Sequence, residues 1–265
     1  MSSAIEQPSP SVEIHNRQGS GSAVILCEHA SHHIPPCYHG LGLKSEHRRS
    51  HAAWDPGARA VAVRLSAMLD APLVASRISR LVYDCNRPPE APSATPERVE
   101  IIDVPGNRGL TKDKRSARVE AVYRPFCKAV TQVITERAAH HFPTVLITIH
   151  SFTPRFHGQV RVVEIGILHD DDPRLAEAML AQAPRLPHRR IRRNAPYGPE
   201  DGVTHSLKRH GIGNGLANVM IEIRNDLLAT LQGADTLAQE LCQLIRPALA
   251  ALGEMPAAGE DRQDA

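Results

Sequence analysis

Two apolar stretches of the sequence each run directly into a histidine. The stretch 23–27 (AVILC) is followed by Glu28 and His29, and the stretch 144–149 (TVLITI) is followed by His150. Neutral imidazoles are good zinc ligands, and a catalytic zinc site needs three protein ligands and one open position. A single histidine at a strand end is more often structural, but two of them together favour a metal site. A third ligand is then needed.

Two residues could supply that third ligand. Asp55 lies in HAAWDPGA, directly before Pro56 and Gly57 at the start of a predicted helix, so its carboxylate could bind a metal or cap the helix. His32 follows His29 by three residues, although a surface loop is the more common environment for such a histidine. The sequence leaves both alternatives open.

A carboxylate lies among apolar neighbours in the segment 218–224 (NVMIEIR). Burying an unpaired charge is costly, so Glu222 either pairs with a cation such as Arg224 or faces a cleft. Strand alternation places these two side chains on one face of the sheet. A glutamate that faces a cleft near zinc is suited to act as the general base for a metal-activated water.

Two loops carry residues suited to substrate binding. The first, RLVYDCNRPPE, contributes Arg80, Asn86 and Arg87. Arginine suits bidentate carboxylate binding and the stabilisation of a developing oxyanion, although a solvated arginine-rich loop is an equal alternative. The second, at 194–211, is rich in turn residues and typical of a binding loop. It contributes Tyr197, Asp201 and His210.

The elements that must position these residues follow from the apolar pattern. Short apolar runs bounded by turn residues alternate with longer segments of helical period, which indicates an α/β sheet with helices on its faces. The pattern predicts strands at 23–28, 72–76, 144–150, 161–168 and 218–224. It predicts helices at 56–69, 113–140, 173–183, 204–210 and 226–251. Ligands of such sheets bind beyond the carboxyl ends of the strands.

Both ends of the chain differ in composition from its middle. Residues 1–21 and 253–265 are rich in Pro, Gly, Ser and charged residues, and we expect them to be loosely ordered. A single catalytic domain is expected at 22–252.

Overall charge argues against a polyanionic partner. Lys and Arg (31) nearly balance Asp and Glu (29), so no global field attracts nucleic acid or an anionic membrane. The basic run at 188–194 (HRRIRRN) lacks interleaved aromatic residues and is better explained as a solvated edge strand. We expect a small-molecule partner, no nucleic acid and no membrane.

Cysteine usage favours a reducing compartment. The five cysteines are an odd number without CxxC spacing, which argues against a disulfide scaffold and against a thiolate zinc cluster. The first residues lack the basic start and apolar core of a signal peptide, and no apolar run reaches the roughly 18 residues of a membrane span. We therefore expect a cytoplasmic protein.

Six segments in this order resemble the N-formylglutamate amidohydrolase family: CEHAS, HAAWDPGA, SRLVYDCNRP, ITIHSFTP, PYGPEDGVTHSLKRHG and VMIEIRNDLL. The resemblance extends from about residue 22 to residue 250. That family is related in fold to the zinc carboxypeptidases. The resemblance implies a mixed, mostly parallel sheet flanked by helices, of the phosphorylase/hydrolase-like kind.

The resemblance also implies a metal centre. Zinc would be the cofactor, with His29 and His150 as ligands and Asp55 as the preferred third ligand. The carboxypeptidase pattern has a glutamate three residues after its first histidine, where this chain has His32. The third ligand therefore stays open between Asp55 and His32.

The remaining roles follow from the same resemblance. Glu222 would be the general base, Arg80 would polarise the scissile carbonyl, and Arg87 with Asn86 would hold the substrate carboxylate. The implied reaction is hydrolysis of the amide of a small N-acylated amino acid such as N-formylglutamate. Two alternatives are a hydrolase of another N-acyl amino acid or peptide terminus, and a relative that binds ligand without catalysis.

Overall fold

A computed structural model of the protein describes residues 11–254. The strands are β1 Val12–His15, β2 Ala23–Cys27, β3 Leu73–Ser76, β4 Arg98–Val99, β5 Ile102–Asp103, β6 Val145–Phe152, β7 Arg155–Phe156, β8 Gln159–Val160, β9 Ile165–Leu168, β10 Ile191–Arg193 and β11 Asn218–Arg224. The α-helices are α1 Ser45–Arg49, α2 Ala58–Met68, α3 Lys112–Arg118, α4 Arg124–Ala139, α5 Arg174–Leu180 and α6 Leu231–Glu254.

Seven strands form one sheet in the order β1-β3-β2-β6-β11-β9-β10. The four central strands, β3, β2, β6 and β11, are parallel to one another. Strand β1 is antiparallel to β3, and β9 is antiparallel to β11. The remaining strands pair as two small hairpins, β4 with β5 and β7 with β8. The predicted α/β fold with a mixed, mostly parallel sheet and flanking helices is confirmed.

Both faces of the central sheet are buried, and each strand divides its side chains between them. In β2, Ile25 and Cys27 belong to the core cluster that includes α2 and α6 on one face, whereas Val24 and Leu26 belong to the cluster that includes α4 on the other. Strands that are covered on both sides are continuously apolar, as in this α/β arrangement. Burying each Leu or Ile side chain contributes about 1.5 to 3 kcal/mol. The rigid sheet therefore holds the ends of its strands in fixed positions.

Several predicted helices are interrupted or displaced. The segment predicted as one helix at 113–140 is α3, a π-helical turn at Val119–Tyr123 and then α4. Pro125 explains the interruption, because it has no N–H to bond the carbonyl four residues earlier. The helix predicted at 204–210 contains a π-helical turn at Leu207–Gly211, and α6 follows a 3₁₀ turn at Asn225–Leu228.

Two expectations at the edges of the domain need correction. Residues 12–15 were expected to be loosely ordered, but they form β1, whose Val12 and Ile14 pack against the core. The alternation in these four residues is too short to stand out from the polar sequence around it. The strand predicted at 161–168 covers only Ile165–Leu168. The expectations for residues 1–10 and 255–265 lie outside the described residues.

The basic run at 188–194 contains an edge strand, as predicted. Ile191 is buried, whereas Arg192 and Arg193 are exposed, and β10 pairs only with β9 at the margin of the sheet. Charged side chains on an edge strand disfavour pairing with a second chain. The run is explained by its place in the fold.

Candidate metal and catalytic site

The carboxyl ends of three neighbouring strands bring together His29, His150 and Glu222. Glu222 on β11 is directly paired with His150 on β6. His29 lies two residues beyond the end of β2, which is the neighbour of β6 on its other side. All three side chains are buried and line one cavity. The fold therefore brings these three residues together at one edge of the sheet, as predicted.

Asp55 lies between the two histidines. Its Oδ2 is 3.2 Å from Nδ1 of His29 and 2.9 Å from Nδ1 of His150, and it accepts the backbone N–H of Ser151 at 3.3 Å. The carboxylate does not cap α2, whose N-cap is Gly57 without a side-chain hydrogen bond. The sequence left Asp55 open as a helix cap or as a metal ligand, and its position beside the two histidines favours the role of metal ligand.

Three residues that could hold a metal ion come together at this position. His29, Asp55 and His150 each offer one ligand atom, and these atoms lie within 4.8 Å of one another with all three residues buried. His32, the alternative third ligand, is exposed and lies beside Trp54, with ring centroids 5.0 Å apart and the ring planes tilted by 58°. Two imidazole nitrogens and a carboxylate oxygen suit zinc, and three protein ligands leave a position open for catalysis.

Each histidine has a second carboxylate on its other ring nitrogen. Nε2 of His29 is 2.7 Å from Oδ1 of Asp84, and Nε2 of His150 is 3.3 Å from Oε2 of Glu28. Metal-binding histidines commonly donate their second N–H to a carboxylate, which fixes the orientation of the ring. Both rings thus present Nδ1 toward Asp55.

The charge around the two imidazoles also suits a cation. The carboxylates around them are all buried: Glu28, Asp55, Asp84 and Glu222. Among the described residues, Arg80 is the only arginine that pairs with one of these carboxylates, through Nη1 and Oδ1 of Asp55 at 3.1 Å. Burial lowers the pKa of both histidines, but Asp84 and Asp55 outweigh burial at His29, and Glu28 and Asp55 outweigh it at His150. Both pKa values are therefore raised, that of His150 well above its usual range. An excess of negative charge that attracts protons to imidazoles is equally suited to a divalent cation.

Glu222 differs from the other carboxylates of the site. Burial raises its pKa to about 7, and nearby Asp55 adds to the rise while His150 opposes it. Its Oε2 has no hydrogen-bond partner among residues 11–254. Arg224, the alternative partner suggested by the sequence, pairs instead with Asp226 through Nε and Oδ1 at 2.8 Å. A carboxylate with a pKa near neutrality is suited to exchange protons at physiological pH.

The loop after β3 places three predicted residues along the cavity, in different situations. Arg80 donates Nε to the carbonyl of Ala52 at 3.1 Å and is partly committed to Asp55. Asn86 uses both ends of its amide internally, donating to the Val203 carbonyl at 2.6 Å and accepting from the backbone N–H of Ser206 at 2.9 Å. Its amide therefore joins two loops and has little capacity left for a ligand.

Arg87 keeps more freedom than its neighbour. Nη1 donates to the carbonyl of Asn86 at 2.9 Å, and no carboxylate among the described residues lies within ion-pair distance of the guanidinium. The side chain is half-buried and lines the cavity. It is available to a carboxylate from outside the chain.

The loop at 194–211 contributes one of its three predicted residues to the cavity. Tyr197 lines the cavity and lies 4.8 Å from the guanidinium of Arg161. Asp201 is exposed and accepts the backbone N–H of Gly198 at 2.9 Å, which stabilises a local turn. His210 is buried behind the loop, where burial lowers its pKa to about 4. The substrate-binding role predicted for Asp201 and His210 is not supported by these positions.

The cavity has a volume of about 340 Å³. Its outer wall includes residues that the sequence did not single out, from two hairpins and the loop before α2: His51, Arg98, Val99, Glu100, Phe156 and His157. His51 and Glu100 pair there, with Nε2 and Oε1 2.8 Å apart. Strands of two residues leave no periodic signal, so only His51, the histidine of HAAWDPGA, could have drawn attention.

No helix within residues 11–254 combines the length and apolar character needed to cross a lipid bilayer.

Comparison with known proteins gives a family. The family model for N-formylglutamate amidohydrolase matches residues 21–229. A search of curated proteins found no match. The crystal structure of gene product Atu2144 from Agrobacterium tumefaciens is 52% identical with a TM-score of 0.91, covering 93% of this chain and 97% of that chain.

A more distant structure shares the fold. The N-formylglutamate amidohydrolase from Ralstonia eutropha JMP134 is 16% identical with a TM-score of 0.67, and the match covers 93% of this chain and 100% of that chain. The family model alone spans well over half of the chain. The chain therefore belongs to the N-formylglutamate amidohydrolase family, hydrolases that act on carbon–nitrogen bonds other than peptide bonds.

Proposed function

We propose that this amidohydrolase is zinc-dependent and cleaves the amide bond of an N-formyl amino acid such as N-formylglutamate. The observation that carries the proposal is the convergence of His29, Asp55 and His150 within 4.8 Å beside Glu222, in one cavity. Zinc held by these three residues would polarise the scissile carbonyl and acidify a water molecule.

Glu222 is the proposed general base. Its carboxylate accepts a proton from the attacking water and then delivers that proton to the nitrogen of the leaving amine. A pKa near 7, caused chiefly by burial, lets the side chain both accept and release a proton near neutral pH. The buried position on β11 keeps the carboxylate next to the proposed ligands, with no ion pair to another of the described residues.

Arg80 is the proposed electrostatic partner of the transition state. Its guanidinium contacts Asp55, so it lies beside the ligand set with 26% of its side chain exposed. A fixed positive charge stabilises the oxyanion that develops on the scissile carbonyl, and removing one such donor typically costs about 3 to 4 kcal/mol.

Arg87 is the proposed anchor for the substrate carboxylate. It lines the cavity and has no carboxylate partner among residues 11–254. An arginine can bind a carboxylate through two parallel hydrogen bonds, which fixes the orientation of the substrate. Asn86 supports the anchor by tying its loop to residues 203–206. Tyr197 forms part of the wall beside the bound amino acid.

The proposed setting is the cytoplasm, with a small N-acyl amino acid as partner and neither nucleic acid nor membrane. All five cysteines lie within the described residues and none forms a disulfide, which fits a reducing compartment.

A substrate panel tests the proposal. Amine release would be measured for the zinc-loaded protein with N-formylglutamate, N-formyl derivatives of neutral amino acids and N-acetylglutamate. We expect release from N-formyl substrates and little from N-acetylglutamate. Faster release from N-acetyl substrates would move the proposal to another N-acyl amino acid, and no release from any member would contradict it.

A further inference from the structure

Glu28 is a fully buried carboxylate directly behind the metal-ligand set. Its side chain has 0% exposure, and neither carboxylate oxygen has a hydrogen-bond partner among residues 11–254. Glutamates are almost never buried to this extent unless they are paired. The only cationic group among the described residues within ion-pair distance is His150, whose Nε2 is 3.3 Å from Oε2.

The sheet itself causes this contact. Leu26 on β2 is paired with Thr148 on β6, and Glu28 and His150 each follow two residues later on the same face. On the other side of β6, Glu222 on β11 is paired with His150. The imidazole therefore has a buried carboxylate on each side, from Glu28, one residue beyond the end of β2, and from Glu222 on β11.

The position of Glu28 constrains the ring of His150. Nδ1 of that ring is 2.9 Å from Asp55, and Nε2, on the opposite side of the ring, faces Glu28. Nε2 has no hydrogen-bond partner among the described residues, and Oε2 of Glu28, at 3.3 Å, is the one carboxylate oxygen of those residues within ion-pair distance of it. His29 repeats the arrangement with Asp84 at 2.7 Å. A carboxylate on the far nitrogen fixes both the orientation of a ligand histidine and the nitrogen that carries its proton.

We propose that Glu28 is a positioning residue for the metal centre, which accepts the N–H of His150 Nε2 and so keeps Nδ1 free and directed toward the metal position. The proposal rests on the metal centre of the proposed function but not on its substrate. It assigns Glu28 no contact with substrate.

Metal affinity tests this role without any measurement of turnover. Zinc dissociation constants would be measured for the metal-free full-length protein by competition with a chromophoric chelator, and the absorption spectrum of the cobalt-loaded protein would be recorded. For Glu28→Gln we expect zinc binding to weaken roughly 10- to 100-fold and the cobalt bands to shift. Glu28→Asp, which keeps the charge but withdraws it by one methylene, should recover part of the affinity.

Glu240→Gln is the matched control. Glu240 is also a buried carboxylate that contacts a histidine, with Oε1 2.9 Å from Nε2 of His188, but it lies outside the cavity. Its loss should lower the free energy of unfolding and leave zinc affinity and the cobalt spectrum unchanged. This separates a general effect of removing a buried carboxylate from an effect on the metal centre.

The role of Glu28 would be overturned if Glu28→Gln kept a zinc affinity within threefold of wild type and an unshifted cobalt spectrum. If Glu28→Gln does not fold, the same two results in a folded Glu28→Asp would overturn it. Either finding would leave the proposed function intact. A wild-type protein that binds no zinc would overturn both. Zinc binding that depends on Glu28 in a protein without N-formyl hydrolysis would support the role of Glu28 and reject the proposed substrate.

Discussion

The strand ends and the loops contribute differently to this site. His29, His150 and Glu222 come from the carboxyl ends of β2, β6 and β11, are buried, and are related by strand register. Arg87 and Tyr197 come from loops and are only half-buried. The rigid sheet is thus suited to hold two of the proposed metal ligands and the proposed base, and these two loop residues are suited to recognise the substrate. Changes at the strand ends should abolish chemistry, whereas changes at Arg87 and Tyr197 should alter binding.

The largest expected effect is at a strand end. Glu222→Gln removes the proposed base while keeping the shape of the side chain, and kcat should fall roughly 10²- to 10⁴-fold with zinc content unchanged. Glu164→Gln is a suitable control, because Glu164 is a partly buried carboxylate that pairs with Arg189 at 3.5 Å and lies outside the cavity. Steady-state rates near those of wild type for Glu222→Gln would remove this residue from the mechanism.

A loop change should act on binding instead. Arg87→Met removes the proposed carboxylate anchor, and a lost charged hydrogen bond of about 1.5 to 3 kcal/mol corresponds to a rise in KM of roughly 10- to 150-fold. We expect kcat to change much less. Arg98→Met is the control, since Arg98 also lines the cavity but is exposed and lies near Asp103. A large fall in kcat with unchanged KM would place Arg87 with the catalytic groups.

Protonation of His210, in the loop at 194–211, should limit the stability of the folded protein in acid. His210 has a pKa of about 4 in the folded protein, against 6.5 for an unperturbed histidine. Between these values the unfolded chain binds a proton that the folded protein does not, so stability falls as pH drops. The expected loss between pH 7 and pH 5 is about 2 kcal/mol.

Urea unfolding of the chelated protein at the two pH values measures this loss. His210→Gln cannot bind the proton, so its free energy of unfolding should depend less on pH than that of wild type by about 2 kcal/mol. Because other titrating groups are common to both proteins, the difference isolates His210. Identical pH dependence in the two proteins would mean that this histidine titrates normally.

Some of the site is predictable from sequence because its signal is local. An apolar run followed by a histidine identifies His29 and His150, and a carboxylate within an apolar run identifies Glu222. Asp55 stays ambiguous at that level, because a carboxylate before a helix can equally be a cap. Only the fold brings it within 3.2 Å of His29.

Other parts could not be predicted, since they depend on contacts between distant segments. Glu28 acquires its significance from His150 on another strand. His51 and Glu100 meet only where the loop before α2 approaches the β4–β5 hairpin. Asp201 and His210 share a turn-rich loop with Tyr197, but the direction of each side chain depends on the packing of that loop. The fold class is more robust, because alternating apolar strands and helices extend through the whole domain.

The smallest expected effect is at the outer wall of the cavity. Phe156 on β7 lies 4.4 Å from the guanidinium of Arg161, which also contacts Tyr197. Phe156→Ala removes a cation–π contact of about 0.5 to 1 kcal/mol, so kcat/KM should change by less than about tenfold. The ratio between N-formyl substrates of different side chains should shift, while zinc content stays the same. An equal change for every substrate would argue against a role for this wall in selectivity.

Metal content and its link to turnover test the central claim most directly. Zinc per chain would be determined in the purified protein by mass spectrometry, and N-formylglutamate hydrolysis would be followed before chelation, after chelation and after zinc is added back. We expect about one zinc per chain, because the chain offers one three-ligand set at His29, Asp55 and His150 within the described residues, with activity lost on chelation and restored by zinc. Full activity in protein stripped of metal would contradict the account.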